Sequence, residues 1–251
     1  MRALGIDGTY VLRDLAPADL DAFVGELRDG RYTGCNVTTP YKALMAGVCD
    51  RLDGDAETLG VVNTITVRAG RLIGSTTDAD GFELALSRAH LWPRQGATAL
   101  VLGAGGAAAA VALALTRVPL LRLRIAARRP EAAEDLAQRL HGSGDIAVVP
   151  WDRAAIAREG AHSAIVVNAT TAGLDALPFE PRALPAGCSV VDIRYTPRPV
   201  DVVSAALDSR HRASDGLEML LQQGLLSFSA WTGMAAPEAA VRSALLGAVQ
   251  A

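Results

Sequence analysis

The chain has 251 residues, 50% of them hydrophobic and 20% charged, a globular composition that allows one large domain or two modest ones, of which we expect two. The net charge is -3 at pH 7 and the arginines are scattered, so the sequence lacks the basic patch that binds nucleic acid or an anionic membrane. These properties favour chemistry on a small molecule, with neither nucleic acid nor membrane as a partner.

The first 50 residues predict two helices separated by a short extended run. Residues 17–30 predict an amphipathic helix, because four apolar side chains recur on one helical face: Leu20, Phe23, Val24 and Leu27. After the extended run at 32–37, a threonine cap and Pro40 at the first helical position predict a second helix through Asp50.

Lys42 falls in the first turn of this second helix. It is the only lysine in the sequence, because all the other residues in the total of 24 lysines and arginines are arginines. A composition bias of the whole genome would explain why lysine is scarce. A need for an amine at this position would explain why one lysine is kept.

Residues 60–68 and 71–78 are rich in β-forming side chains and are separated by Ala69 and Gly70. This pattern predicts a hairpin-like pair of strands. The first 80 residues therefore predict a small α/β unit.

Residues 95–116 carry no charged side chain over a length that could span a bilayer. Gly105 and Gly106 interrupt the run, and its first half is rich in β-forming residues whereas its second half is rich in alanine. We therefore predict a buried strand, a tight turn and a buried helix.

From Thr98 to about residue 192, apolar strands alternate with helices, which predicts a parallel, doubly wound sheet. Helical patterns return at 216–233 and 237–250. The predicted fold is α/β with two domains. Residues 1–80 together with 217–251 form an N-terminal α/β domain to which the C-terminal helices return, and residues 81–216 form a Rossmann-type domain.

The segment between the first of these strands and its helix has the spacing of a nucleotide-binding turn. Gly103 permits the tight turn, Gly105 lets the backbone approach a pyrophosphate, and the small Ala108 lets the helix pack on the strand. A packed, alanine-rich turn is the alternative. The strand, turn and helix context favours a nucleotide site at Gly103, Gly105, Gly106, Ala107 and Ala108, with the pyrophosphate at the helix N-terminus.

The end of the next strand indicates which nucleotide binds. An NAD site usually offers an acidic side chain to the ribose there, but this sequence has Arg128 and Arg129 instead. Two arginines suit a 2'-phosphate, so the pattern favours NADP. A pair of solvated surface arginines is the alternative.

The cysteines and histidines indicate neither a disulfide framework nor a metal site. Three widely spaced cysteines form no CxxC pair, which fits a reducing cytoplasm: Cys35, Cys49 and Cys188. The histidines lack partners at ligand spacing, so we expect no metal.

Eight short motifs, in this order, resemble the shikimate dehydrogenase family: GIDGTYV at 5–11, GCNVTTPYK at 34–42, GVVNTI at 60–65, TDADGF at 77–82, GAGGAA at 103–108, NATTAGL at 168–174, DIRYTP at 192–197 and GLEMLLQQG at 216–224. The resemblance runs from Ala3 to the C-terminus. It implies a two-domain enzyme that interconverts 3-dehydroshikimate and shikimate with NADPH, in the biosynthesis of chorismate and aromatic amino acids. Residues 1–80 with 217–251 would bind the substrate and residues 81–216 would bind NADP.

The resemblance also implies roles for individual residues. Lys42 and Asp78 stand at the catalytic pair, and which of them accepts the proton stays open, since Lys42 could instead polarise the carbonyl as a fixed donor. The substrate-binding positions are Thr38, Asn63, Tyr195 and Gln223. Further cofactor-binding positions are Asn168, Thr170, Thr171 and Gly216.

Some of these residues also have purely structural interpretations. Thr38 and Asn63 could cap turns, Gln223 could be a surface residue of its helix, and Asp78 could cap a helix that begins near Asp80.

The same resemblance indicates that the sequence lacks the family's N-terminal strand and its SxSPxxHN loop, which holds the substrate carboxylate. Three interpretations follow: a shikimate dehydrogenase whose start lies upstream of Met1, a family member acting on quinate or a related ring acid, and a non-catalytic NADP-binding relative. The joint retention of Lys42, Asp78, Asn63 and Gln223 argues against the third. The sequence leaves monomer and homodimer open.

Overall fold

A computed structural model describes residue 1 and residues 4–250. The chain divides into two compact units, Met1–Thr77 together with Gly224–Ala251, and Asp78–Gln223. The first division lies where a helix begins at Asp78, and the second lies inside the helix Leu217–Thr232. The assignment of substrate and NADP to separate domains stays a prediction.

The first unit is a small α/β unit. Its elements before residue 78 are a 3-10 turn at Pro17–Asp19, α1 (Leu20–Arg28), β1 (Gly34–Asn36), α2 (Lys42–Val48), β2 (Arg51–Leu52), α3 (Asp55–Leu59), β3 (Thr64–Arg68) and β4 (Arg71–Ser75). Within residues 4–77, the strands form one sheet in the order β1-β3-β4-β2. The predicted hairpin is confirmed: β3 and β4 pair antiparallel, and both turn residues, Ala69 and Gly70, have positive φ.

The predicted amphipathic helix is confirmed as the 3-10 turn followed by α1, which is shorter than the predicted span. Leu20, Phe23 and Leu27 are buried, and Val24 is half-buried against the same core. Gly30, just after the helix, has φ 76° and ends it as expected.

The second helix was predicted from Pro40 to Asp50, and this span is wrong at both ends because α2 covers only Lys42–Val48. At the start, the Tyr41 N–H donates to the Thr38 carbonyl at 2.9 Å, so these residues close a turn before the helix. At the end, the Asp50 carboxylate accepts the Leu72 N–H at 2.7 Å, which draws Asp50 to the sheet. Lys42 is therefore the first helical residue.

The second unit contains the larger sheet. Its elements are α4 (Asp78–Arg88), β5 (Thr98–Leu102), α5 (Gly106–Thr116), β6 (Arg122–Ala126), α6 (Pro130–Arg139), β7 (Asp145–Val149), α7 (Arg153–Gly160), β8 (Ile165–Asn168), β9 (Ser189–Asp192), α8 (Asp201–Asp208) and β10 (Arg212–Ser214). The strand order is β10-β9-β8-β5-β6-β7, with every neighbouring pair parallel. Chain order runs outward from β5 in both directions, so the predicted doubly wound sheet is confirmed.

The uncharged run at 95–116 forms β5, a turn and α5, as predicted. Each residue of β5 is buried, and α5 is buried from Ala108 to Leu115, because the strand lies at the centre of the sheet. Beyond this unit the chain continues through α9 (Leu217–Thr232) and α10 (Glu238–Gln250). Nowhere in residues 1 and 4–250 is a helix both long enough and apolar enough to cross a membrane.

Gly216, just before α9, lies against the backbone that follows β9. A Cβ at this position would stand 1.8 Å from the Ile193 carbonyl oxygen, so only glycine fits. We expect Gly216→Ala to lower the free energy of unfolding by about 3 kcal/mol, because the backbone must move to accept the methyl group. Urea unfolding measures this effect.

Gly224→Ala is the matched control, since Gly224 lies inside α9, the helix that Gly216 precedes, and a Cβ there would meet nothing within 4 Å. This variant should keep or raise stability, because alanine favours helix more than glycine does, by about 1 kcal/mol. Equal stability of the two variants would contradict the close approach at Gly216.

Candidate active site

In the first unit, the structure brings three of the predicted site residues together at the segment that precedes β3. The Val37 N–H donates to the Asn63 carbonyl at 2.8 Å, and the Val62 N–H donates to the Lys42 carbonyl at 3.0 Å. These two bonds fix the segment that carries Thr38 and Lys42 beside Asn63. The Thr38 side chain is exposed and that of Lys42 is half-buried.

Asn63 is buried, and its amide is held by hydrogen bonds from neighbouring elements. Its Nδ2 donates to Thr77 Oγ1 at 2.9 Å, and its Oδ1 accepts from the Thr77 N–H at 2.9 Å and from Thr64 Oγ1 at 2.8 Å. Asn63 therefore does more than cap a local turn, since it ties the start of β3 to the residue preceding Asp78.

Further hydroxyl and amide groups surround Asn63, and sequence reasoning missed them. Ser227 Oγ lies 2.7 Å from Thr64 Oγ1 and 3.2 Å from Thr77 Oγ1, and Asn36 Nδ2 donates to Ser227 Oγ at 3.1 Å. We call Asn36, Asn63, Thr64, Thr77 and Ser227 the polar cluster. Asn36 shares a motif with Thr38 and could have been noticed. Ser227 stands 163 residues from Thr64, and no spacing rule indicates that contact.

Asp78 opens the second unit as the first residue of α4, and its exposed fraction is only 6%. The alternative that it caps a helix beginning near Asp80 is wrong, because the helix already starts at Asp78. The helix N-terminus favours a negative charge. A carboxylate with so little solvent contact is a candidate for a chemical role.

The glycine-rich turn follows β5 at the point where the strand order of the sheet reverses. Gly103 has φ 120°, and a Cβ there would lie 2.8 Å from the Ala169 carbonyl oxygen in the loop after β8. Glycine is therefore required at this position, both for the dihedral angle and for the close approach. Ligands of doubly wound sheets bind at this reversal, beyond the carboxyl ends of the strands.

The remaining residues of the turn leave room for an anion. Gly105 is exposed and precedes α5, and a Cβ added to it would meet nothing within 4 Å. Gly106 and Ala107 are half-buried at the start of α5, whereas Ala108 is buried against the sheet. The first-turn N–H groups of an α-helix lie outside its own hydrogen-bond ladder, so the start of this 11-residue helix suits an anion.

Arg128 and Arg129 follow β6 and are exposed. Among the residues that the structure describes, neither forms an ion pair or a side-chain hydrogen bond. Arg124 on the same strand differs, because it pairs with Asp145 at 3.0 Å and with Glu159 at 3.5 Å. The two arginines at the strand end are thus available to a phosphate, and together with the open turn they fit NADP.

The loop after β8 is shaped by Asn168. Its Oδ1 accepts from the Thr170 N–H at 3.1 Å and from Thr170 Oγ1 at 2.7 Å, and its Nδ2 donates to the Ala172 carbonyl and to Asp192 Oδ2, both at 3.0 Å. The Asn168 side chain is thus engaged within the protein and shapes the loop. Thr171 is exposed at the loop's tip.

Tyr195 and Gln223 are both half-buried in the second unit. Gln223 Nε2 donates to the Leu220 carbonyl at 3.0 Å, and its backbone lies against Gly81, where a Cβ would come within 2.9 Å of the Gln223 nitrogen. Gln223 therefore lies where α9 contacts α4. Gly216 has the packing role described above.

Comparison with known proteins identifies the family. Residues 1–65 match the shikimate dehydrogenase substrate binding domain, and residues 216–246 match the shikimate 5'-dehydrogenase C-terminal domain. The chain is 44% identical over 251 residues to a shikimate dehydrogenase (NADP(+)) of Rubrobacter xylanophilus, with 98% of this chain and 87% of that protein covered.

Solved structures agree. Shikimate 5-dehydrogenase of Thermus thermophilus, in complex with NADP(H) and shikimate, is 32% identical with a TM-score of 0.86, covering 98% of this chain and 90% of that one. Quinate dehydrogenase of Corynebacterium glutamicum, in complex with NAD, is 29% identical with a TM-score of 0.81, covering 91% and 83%. The chain belongs to the shikimate dehydrogenase family.

Proposed function

We propose that this chain catalyses the reversible, NADP-dependent reduction of 3-dehydroshikimate to shikimate, a step in the biosynthesis of chorismate and aromatic amino acids. The observation that carries the proposal is the backbone pairing of the Thr38 to Lys42 segment with residues 62 and 63, which brings the segment that carries the lysine to the buried Asn63. The R. xylanophilus relative, named for this activity with NADP, supports the same reaction.

The substrate is a ring acid with several hydroxyl groups, and the first unit offers suitable partners. The Asn63 amide carries N–H donors and the Thr38 hydroxyl both donates and accepts, so the two side chains can pair with ring hydroxyls. In the second unit, Tyr195 and Gln223 carry a phenol and a second amide. The polar cluster holds Asn63 in place for this purpose.

Reduction of the ring carbonyl requires a proton at its oxygen together with the hydride that bound NADPH supplies. We assign the proton transfer to Lys42 and Asp78. Lys42 either gives the proton or donates a fixed hydrogen bond while Asp78 exchanges the proton.

NADP is proposed as the cofactor because of the charge at the end of β6. The open space at Gly105 and the N-terminus of α5 suit the pyrophosphate, and Arg128 and Arg129 suit the 2'-phosphate. The loop near the cofactor would consist of Asn168, Thr170 and Thr171. We also assign Gly216 to the cofactor-binding positions. We also propose a cytoplasmic location, since Cys35, Cys49 and Cys188 are free thiols. Monomer and homodimer stay open.

A turnover assay of the 251-residue chain tests the proposal. We expect NADPH to form when shikimate and NADP are supplied, measured by absorbance, with little turnover when NAD replaces NADP. Absence of turnover with any ring acid, despite NADPH binding, would favour a non-catalytic NADP-binding relative.

Quinate is the second candidate substrate, because the similar C. glutamicum structure is a quinate dehydrogenase. That structure was solved with NAD, whereas the arginines after β6 favour NADP here. The R. xylanophilus relative, which is 44% identical, is named for shikimate and NADP, so we rank shikimate first. A higher kcat/KM for quinate than for shikimate would reverse this order.

A further inference from the structure

Arg194 joins two carboxylates in the second unit that have no role in the proposed chemistry. Its Nη2 lies 2.6 Å from Asp192 Oδ2 and its Nε lies 3.1 Å from both Asp192 oxygens, while the same Nη2 also bonds to Asp201 Oδ1. Asp192 ends β9 with an exposed fraction of 0%, and Asp201 begins α8. A buried carboxylate of this kind requires a bound cation, and the planar guanidinium can serve two carboxylates at once.

The same two carboxylates hold both ends of the loop after β8. Asp192 Oδ2 accepts from Asn168 Nδ2 at 3.0 Å, and Asp201 Oδ2 accepts from the Leu174 N–H at 2.8 Å. Gly173 fits closely here, since a Cβ would stand 2.6 Å from Asp201 Oδ2. Arg194 is therefore the side chain that links residues 168 and 174 to each other.

Arg194 immediately precedes Tyr195, so its side-chain bonds to Asp192 and Asp201 anchor the chain at the start of that segment. The Arg194 carbonyl accepts from the Gly216 N–H at 2.9 Å, and four residues later Arg198 pairs with Asp215 at 2.6 Å. The Tyr195 backbone is thus held from both sides by bonds to the residues preceding α9.

The charges of Arg194 and Asp201 are stable near neutral pH. Hydrogen bonding to Asp192 raises the pKa of Arg194. Burial would raise the pKa of Asp201, but hydrogen bonds from the Leu174 N–H, Arg194 and the Val202 N–H outweigh it and lower that pKa. The ion pair between Arg194 and Asp201 therefore persists at neutral pH.

We propose that Arg194 is a positioning residue for the reaction: by clamping Asp192 to Asp201 it sets the 168–174 loop for NADPH and Tyr195 for the ring acid. This inference rests on the proposed function. Lysine would replace Arg194 only in part, because its compact ammonium lacks the planar fork that pairs with Asp192 while also reaching Asp201.

The test compares Arg194→Gln and Arg194→Lys with a matched control, Arg124→Gln. Arg124 is as buried as Arg194, 17% against 15% side-chain exposure, and it also pairs with two carboxylates, Asp145 and Glu159. Each substitution removes or weakens an ion pair and should lower Tm, most in Arg194→Gln, because Asp192 is fully buried whereas Asp145 is 56% exposed. We expect Arg194→Gln to raise the Kd for NADPH and the KM for shikimate by about tenfold, with kcat little changed, because binding geometry is lost and the reacting groups remain.

Arg124→Gln should lower Tm and leave Kd and KM at wild-type values. Arg194→Lys should recover only part of the loss. Unchanged Kd and KM in Arg194→Gln would overturn the inference and show a role in stability alone. Turnover of the wild-type protein tests the proposed function. The ratio of the Kd and KM values of Arg194→Gln to the wild-type values tests the inference.

Amide hydrogen exchange gives a readout without ligand or turnover. Residues 168–174 should exchange faster in Arg194→Gln than in Arg124→Gln, because only the first loses the link between the loop ends. Equal exchange of that loop in the two variants would overturn the inference, whatever the substrate of the wild-type enzyme proves to be.

Discussion

Replacement of Lys42 by alanine is expected to lower kcat for shikimate oxidation by about 10³-fold, since positioned acid or base groups contribute about 10² to 10⁴. NADPH should still bind, because the cofactor residues are elsewhere in the sequence. Stopped-flow turnover and NADPH fluorescence measure the two effects. Arg51→Ala is the control, as Arg51 is an exposed cation of the same unit, paired with Asp53. It should keep full activity.

Two further variants decide how the proton moves. Lys42→Arg keeps the charge and the donors but cannot release a proton near neutral pH. If Lys42 is a fixed donor, this variant should keep more activity than Lys42→Ala, whereas the two should be equal if Lys42 exchanges the proton. Asp78→Asn keeps the shape of the side chain and removes the carboxylate that would accept a proton. Wild-type kcat in both Lys42→Ala and Asp78→Asn would show that the catalytic assignment is wrong.

The double substitution Arg128→Ala with Arg129→Ala should raise the Kd for NADPH by about 100-fold and leave that for NADH almost unchanged. Each charge-assisted hydrogen bond contributes about 1.5 to 3 kcal/mol, and about 1.4 kcal/mol corresponds to tenfold in affinity. NADH lacks the 2'-phosphate that these bonds would hold. Isothermal titration with both nucleotides gives the two constants.

Arg122→Ala is the matched control for this double variant. Arg122 is the first residue of β6, the strand that Arg128 and Arg129 follow. Its Nε donates to Thr98 Oγ1 at 3.1 Å. It should bind both nucleotides as the wild type does. An equal loss of NADPH and NADH affinity in the double variant would remove the case for a 2'-phosphate contact.

The larger sheet could be predicted from sequence because its central strands, β5, β8 and β9, are buried on both faces. The apolar runs at 98–102 and 165–168 need no partner to be recognised, and the glycine-rich turn marks where the first strand ends. Because strands and helices alternate along this part of the chain, few sheet topologies are compatible with it. The predicted fold class followed from these local signals.

The first unit was harder to predict because its elements are short. β2 has two residues and α3 has five, which is too few for hydrophobic periodicity to be visible. The start of α2 was misplaced because a Thr-Pro pair is typical of a helix start, but here the Thr38 carbonyl closes a turn first. Local propensity was overridden by a single backbone hydrogen bond.

Within the candidate site, the motifs indicated the residues that differ most in chemistry from their surroundings. Asn63 could be named, but the polar cluster that holds it depends on Ser227, brought in by a distant helix. Arg194 was not singled out, because an arginine between apolar and aromatic residues has no signature. Its importance depends on two carboxylates that converge only in the folded chain.

The single lysine at the start of α2 makes this protein unusually simple to label. An amine-selective acylating reagent can form an ε-amide only at Lys42, and peptide mapping distinguishes this product from acylation of the terminal α-amine. Only the unprotonated amine reacts, and the rate of acylation therefore reports the protonation and the solvent access of that one group. If the acylation rate of Lys42 is measured at increasing concentrations of a ring acid, the change in rate gives the binding isotherm of that acid.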